Sequence, residues 1–275
     1  MTLWANIDRD LAAAPGIVSA WVGPLGGPPR YARLPDATHY AASTMKVGIL
    51  VALHRSGVDL DSAVPVHNRH RSALPGGPDY ANDAAEDSDT AVWARLGGNA
   101  PLRWLAERMI VRSSNLATNL CIEAVGLPAV AEVWRVAGAR HSVTVRGIED
   151  TPAREAGMDN LVTAADLAAL LGGIARGTAA SPAACREMLE VLLAQQHLDD
   201  LAAGLPAGVR IAHKNGWVTG VRHGAGVVFP DDAPPYAIAV CTSTELPDRE
   251  ACAMVARVSA AAWSARAGLV EQVGP

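Results

Sequence analysis

Lysine and arginine together number 23 in this 275-residue chain, and only Lys46 and Lys214 are lysines, leaving 21 arginines. Both lysines stand where an amine could do chemistry: Lys46 closes Ser43-Thr44-Met45-Lys46, and Lys214 opens Lys214-Asn215-Gly216. Arginine supplies surface charge as well as lysine does. A guanidinium stays protonated at any ordinary pH, however, whereas a desolvated ammonium can become a base. A GC-rich genome accounts for most of the Ala, Arg and Gly bias but not for where the two lysines remain. Ser and Lys at i and i+3 share one face of a helix, and serine needs an adjacent base to act as a nucleophile. Lys46, partly buried at a helix start, could take the Ser43 proton, and an oxyanion could rest against backbone N–H groups there. Ser-x-x-Lys arises by chance about once in a chain this size, and roughly a tenth as often when only two lysines are present. The plainer reading is a surface lysine beside an N-cap serine.

Two other elements could complete such a site. Ser113-Ser114-Asn115 precedes the apolar stretch Leu116 to Val125. From there Ser113 could pass a proton to a leaving nitrogen, and Asn115 could hydrogen-bond a substrate amide carbonyl. A simple helix N-cap explains the same residues and is the stronger account taken alone. Lys214-Asn215-Gly216 follows the alternating run Val209-Arg210-Ile211-Ala212-His213, which places it on a strand. Gly216 would permit close backbone approach, and the Trp217 N–H could serve as an oxyanion donor. The alternative is an ordinary strand-end lysine.

In this order, Ser-x-x-Lys, Ser-x-Asn and Lys-x-Gly resemble the motif set of the penicillin-recognising serine hydrolases, specifically the class A β-lactamase-like branch. The similarity continues through Ser113 to Leu120 (SSNLATNL), including Asn119, and through Asn160 to Leu171 (NLVTAADLAALL). The resemblance implies an acyl-enzyme on Ser43, with Lys46 as base or proton relay and Ser113 as proton shuttle. It also implies that Asn115, Lys214, Asn215, Gly216, Trp217 and Arg222 bind substrate, Lys214 by its positive charge. Ser43 and Trp217 N–H groups would form the oxyanion hole, and Arg222 or His223 would stand near a carboxylate-binding position. The substrate would be a small molecule with an amide, lactam or ester carbonyl, and no cofactor is implied.

The chain departs from the family at several points. Deacylation there uses a glutamate in an Ω loop, which falls here within about 145–159; Glu149 is the best candidate, with Asp150 and Glu155 as rivals. The family asparagine four residues on is replaced by Ala153. Arg146 or Arg154 could brace the loop against Asp159. Asn215 stands where Thr or Ser is usual, Trp217 is bulky, and Ser114 replaces an aspartate. Retained acylation machinery with altered surroundings leaves two readings open besides hydrolysis: acyl transfer in a biosynthetic pathway, and a non-catalytic binding homologue.

Apolar spacing predicts a helix over 3–13, strands over 16–23 and 30–34, and a helix over 43–55 with Val47, Leu50, Val51 and His54 on one side. Residues 65–92, rich in Pro, Gly, Asp and His, read as a polar excursion. Helices follow over 91–111, 115–125, 129–137, 163–176 and 182–196, then strands over 209–214, 220–229 and 236–244, and a helix over 248–267. The order predicts an α/β (α+β) fold: a five-stranded antiparallel sheet built from both chain ends, flanked by the terminal helices, with an inserted all-helical domain. The domains are 1–56 plus 205–275 and 57–204, with the site in the cleft between.

Apolar content of 50% and charged content of 19% fit a globular protein of enzyme size rather than a disordered chain. A net charge of −5 and the absence of basic runs argue against nucleic acid or an anionic membrane as partner. Asp8, Arg9 and Asp10 interrupt the place of a secretory apolar region, and the expectation is a cytoplasmic protein. Cys121, Cys185, Cys241 and Cys252 are scattered and read as small buried residues, not metal ligands or disulfides. His67-x-x-His70 has ligand-like spacing, but no third ligand is usefully spaced and a polar loop explains it better, so no metal is expected.

Overall fold

The computed structural model describes residues 2–269. The chain begins with α1 (Leu3–Ala13), β1 (Ile17–Pro24), β2 (Tyr31–Arg33) and β3 (His39–Tyr40), and a tight 3-10 turn at Ala42–Met45 runs directly into α2 (Lys46–Arg55). The middle holds β4 (Ala63–Pro65), α3 (Thr90–Trp93), β5 (Asn99–Pro101), α4 (Leu102–Val111), α5 (Asn115–Val125) and α6 (Leu127–Val136). It continues with α7 (Thr151–Glu155), β6 (Leu161–Val162), α8 (Ala164–Ala175) and α9 (Pro182–Leu193). The last segment is β7 (Arg210–Val218), β8 (Val221–Phe229), β9 (Tyr236–Ser243) and α10 (Asp248–Ser264).

Five strands form one antiparallel sheet in the order β2-β1-β9-β8-β7, the arrangement expected from strands at both ends of the chain. The period of two along β9 sends Ala237, Ala239 and Cys241 to one face and Tyr236, Ile238 and Val240 to the other. The second face packs beneath α1 and α10 through Ile7, Leu11, Met254, Val255 and Val258. The first face packs on α8, whose residues lie inside the helical stretch 57–204, so sheet and helices share one continuous core. Small residues on that face let α8 lie close, and β7 is left at the edge of the sheet, next to the turn that carries Ser43. No single described helix is long and apolar enough to cross a membrane.

Three expectations need correction. α2 is buried from Lys46 through Leu53 rather than along one side, because it passes between α4, α5, α6, α8 and α9. The helix expected over 91–111 is two helices: Gly97 turns with φ +79, and Pro101 cannot continue a helix, so residues 99–101 pair with β4 instead. β7 runs on through Val218, which puts Lys214 in mid-strand and not at a strand end. All four cysteines are buried and unpaired.

Candidate active site

A cleft of about 1510 Å³ is lined by Ser43, Ser113, Asn115, Glu149, Trp217 and Arg222, among other residues. Lys46, Lys214 and Asn215 sit behind this lining, each with no exposed surface. Ser43 lies in the 3-10 turn and Lys46 opens α2, so the two are joined by one tight turn. Gly216 brings β7 against that turn: a Cβ there would stand 2.9 Å from the Ser43 nitrogen and 3.1 Å from both the Ala42 Cβ and the Thr44 nitrogen. Any side chain at 216 would thus push the strand off the backbone around Ser43.

The two amines meet at Ser113. Lys46 Nζ lies 2.7 Å from the Ser113 carbonyl, 3.3 Å from Ser113 Oγ and 3.0 Å from Asn115 Oδ1. Lys214 Nζ lies 3.1 Å from the same Ser113 Oγ and 2.8 Å from the Asn215 carbonyl. Burial pulls Lys46 down to about 7, with Asp87 and Glu149 partly opposing. Burial and then the neighbouring charge of Lys46 hold Lys214 well below the usual lysine range, against the pull of Asp200. A hydroxyl accepts two hydrogen bonds and donates one, so Ser113 can accept from one amine while donating to the other once that amine is neutral.

Four described non-glycine residues have positive φ, and three of them, Ala42, Ser113 and Glu149, line the cleft. Such backbone costs on the order of 1–3 kcal/mol per residue and persists only when its surroundings over-determine it. For Ser113 the determinants are Lys46, which holds its carbonyl, and the Ser114 N–H, which bonds the Arg108 carbonyl at 3.2 Å. For Glu149 they are its own carboxylate contacts: Oε1 accepts from Asn115 Nδ2 at 3.0 Å and Oε2 from the Asp83 N–H at 2.6 Å. The rival acids are engaged elsewhere or exposed. Asp150 caps α7 and accepts from Ser72 Oγ and the Ala73 N–H, and Glu155 is exposed at the end of α7 and does not line the cleft.

The 145–159 segment is tied at its base. Asn160 Oδ1 accepts from the Val145 and Arg146 N–H groups, and buried Arg146 pairs with Asp159 at 3.3 Å, while Arg154 lies over the Tyr40 ring instead. Asn119 brackets the residue before Glu149, accepting from the Ile148 N–H at 2.8 Å and donating to its carbonyl at 2.9 Å. Replacing Asn119 by Ala leaves the Ile148 N–H buried without its partner. The expected loss is about 1–3 kcal/mol of stability, read by urea denaturation of both proteins.

On the opposite wall, Asn215 points away from the cleft. Its Nδ2 donates to Asp200 at 3.2 Å and to the His197 carbonyl at 3.3 Å, and its Oδ1 accepts from Lys214 at 3.3 Å. Its amide is thus engaged by Lys214, Asp200 and the His197 carbonyl behind the cleft lining. Arg222 does line the cleft, but it is paired with buried Asp200 at 3.1 Å and with Asp248 at 3.5 Å, its guanidinium 5.4 Å from the Trp217 ring. His223 is fully buried, bonded to the Tyr40 carbonyl and the Thr242 N–H, and burial lowers it to about 4; it is a structural group.

Sequence reasoning missed three contributors. Asp87 Oδ2 accepts from Ser114 Oγ at 3.1 Å and from the Leu116 N–H at 2.9 Å, so a carboxylate from the polar excursion reaches the place where Ser114 lacks one. Asp83 and Asp200 support Glu149 and Asn215 respectively. No local pattern distinguishes these aspartates from loop acids, since each acts on a segment distant in sequence.

The sequence model of the beta-lactamase enzyme family matches residues 2–265. The chain belongs to that family. A beta-lactamase from Streptomyces lavendulae is 28% identical over 177 residues, which are 62% of this chain and 58% of that protein; the match thus spans little more than half of that relative. Among solved structures, a beta-lactamase from Sphaerobacter thermophilus superposes with a TM-score of 0.82 at 26% identity, covering 98% of this chain and 99% of that one. An ancestral class A beta-lactamase of Gram-negative bacteria gives 0.80 at 22% identity over 96% of this chain and 100% of that one, a likeness of fold. Besides Ser114, two departures from the resembled motif set have a place in the fold. One is the wall made by Asn215 and half-buried Trp217. The other is Ala153, buried with no exposed surface in α7.

Proposed function

We propose that the chain is a serine hydrolase that opens β-lactam-like cyclic amides, and related activated amides or esters, through an acyl-enzyme on Ser43. The observation that carries this reading is the convergence of two buried amines on Ser113 Oγ beside the cleft lined by Ser43. Neutral Lys46 takes the Ser43 proton as Oγ bonds to the substrate carbonyl carbon, and the oxyanion is met by the Ser43 and Trp217 N–H groups. The proton passes from Lys46 to Ser113 Oγ, which releases its own to the leaving nitrogen as the C–N bond breaks. Lys214, bonded to Asn215, hydrogen-bonds Ser113 Oγ from the other side of this relay. Glu149 then takes a proton from water as the water oxygen attacks the acyl carbon, and that proton passes through Lys46 to Ser43 Oγ as the acyl C–O bond breaks, which restores both groups.

Incubation with a penicillin, a cephalosporin and an activated ester tests the reading. Intact mass is expected to show one covalent adduct per chain, absent in Ser43→Ala. No adduct with any of the three, or one that survives in Ser43→Ala, overturns it. The family resemblance would put a water-holding asparagine at Ala153, which offers no hydrogen-bonding side chain, and this replacement favours a second reading, acyl transfer to an amine. An added amine would then yield amide in preference to free acid.

A further inference from the structure

His67 and His70 do have a third polar neighbour, which the fold supplies from a distant segment. Glu123, two turns into α5 from Asn115, places its carboxylate between the rings: Oε2 is 3.1 Å from His67 Nε2 and Oε1 is 2.6 Å from His70 Nδ1. One ligand atom from each of the three lies within 4.8 Å of the others. The rings are 5.6 Å apart, His70 is 2% exposed, and His67 and Glu123 are open enough to admit an ion from solvent. Hydrogen bonding within the protein satisfies the cluster poorly. His67 Nδ1 and His70 Nε2 are both buried and unpaired, and a single carboxylate serves two imidazoles.

We propose that His67, His70 and Glu123 bind a zinc-class divalent transition-metal ion, with a fourth position left for water. Two imidazoles and one carboxylate are a borderline donor set suited to such an ion. Tetrahedral zinc keeps its ligand atoms about 3.3 Å apart at metal–ligand lengths near 2.0–2.1 Å; to take the ion, the 2.6 Å contact to His70 must open and ligand atoms that now lie within 4.8 Å of one another must settle to that spacing. The site lies at the root of the polar excursion, which folds back on itself through His70–Tyr80 backbone bonds of 2.8 Å and through Asn68, which bonds Asn82. At its far end Asn82 bonds the Ile148 carbonyl and Asp83 bonds Glu149. An ion joining His67 and His70 to Glu123 therefore fastens this excursion to α5, the helix that carries Asn115.

The test uses the full chain, stripped with a chelator and titrated with zinc chloride by calorimetry, with bound zinc counted after dialysis. One zinc per chain is expected, with a rise in melting temperature and slower amide exchange over residues 66–83. His67→Ala, at a half-exposed ring whose loss spares the core, is expected to weaken binding about tenfold or more, as is Glu123→Gln. Zinc bound as tightly by His67→Ala as by the wild type, or no zinc bound by the wild type at micromolar concentrations, overturns the proposal. The readout is metal binding itself, so the result stands whether or not Ser43 proves to be the nucleophile.

Discussion

Replacing Lys46 by Met is expected to slow acylation of Ser43 by about 10²–10⁴-fold, the range a positioned general base contributes. Met keeps the buried stem of the side chain and removes only the amine. Lys46→Arg is expected to fail as completely, since a guanidinium does not surrender its proton. The sign of the pH dependence follows from burial, which lowers Lys46 to about 7. Below that pH the amine is charged and cannot accept the Ser43 proton, so the acylation rate should fall about tenfold per pH unit and should level off above it. Stability carries the same signature. From about 7 up to the ordinary lysine range the unfolded chain holds a proton that folded Lys46 lacks, so unfolding free energy rises with pH there. Lys46→Met should lose that part of the slope. Stopped-flow acylation with an activated ester and urea denaturation at several pH values read both effects. Undiminished acylation in Lys46→Met would transfer the base role to Glu149, whose carboxylate reaches the same Asn115 side chain that Lys46 touches.

What could be read from the sequence divides along a physical line. The sheet and most helices follow from periodicity, because each strand or helix declares its buried face within a few residues: Ile238 and Val240 against Ala237 and Ala239 is one such record. The convergence of Ser43, Lys46, Ser113, Asn115 and Lys214 around one cleft was legible because the motifs lie at the start of a helix, before a helix and on a strand, elements whose order is readable in the sequence. Less could be read wherever one segment acts on another. Asp87 completes the start of α5 from 29 residues away, and Glu123 reaches His70 from 53 away; no local pattern encodes either. The surroundings of Asn215 were hidden for the same reason. The resemblance puts Asn215 where a substrate-binding hydroxyl is usual, whereas buried Asp200 and the His197 carbonyl hold its amide on the far side. Burial lifts the Asp200 carboxyl above the ordinary range even though Arg222 is beside it, so this supporting acid is itself costly to keep. The helix break at Gly97 was legible in principle, since Gly97-Gly98 and Pro101 are turn chemistry, but the apolar spacing on both sides masked it.

Replacing Glu149 by Gln should separate the two halves of the reaction. Acylation is expected to persist, because Lys46 remains and loses a neighbour whose negative charge holds it protonated. Deacylation is expected to slow by about 10²–10⁴-fold, since an amide cannot take the proton of an attacking water. Intact mass should then show the Ser43 adduct accumulating within the first turnover, with a burst followed by little further product. Gln keeps one acceptor oxygen, so it can hold Asn115 Nδ2 or the Asp83 N–H but not both. A melting-temperature comparison therefore accompanies the kinetics, to show that the loop around the strained backbone at 149 keeps its fold. Turnover to free acid at the wild-type rate would remove Glu149 from the mechanism. If, in addition, an added amine captures the acyl group from wild type and Glu149→Gln alike, the acyl-serine is a donor to amines and the transfer reading gains. The ratio of amide to acid in wild type then reports how far this chain has moved from hydrolysis towards transfer.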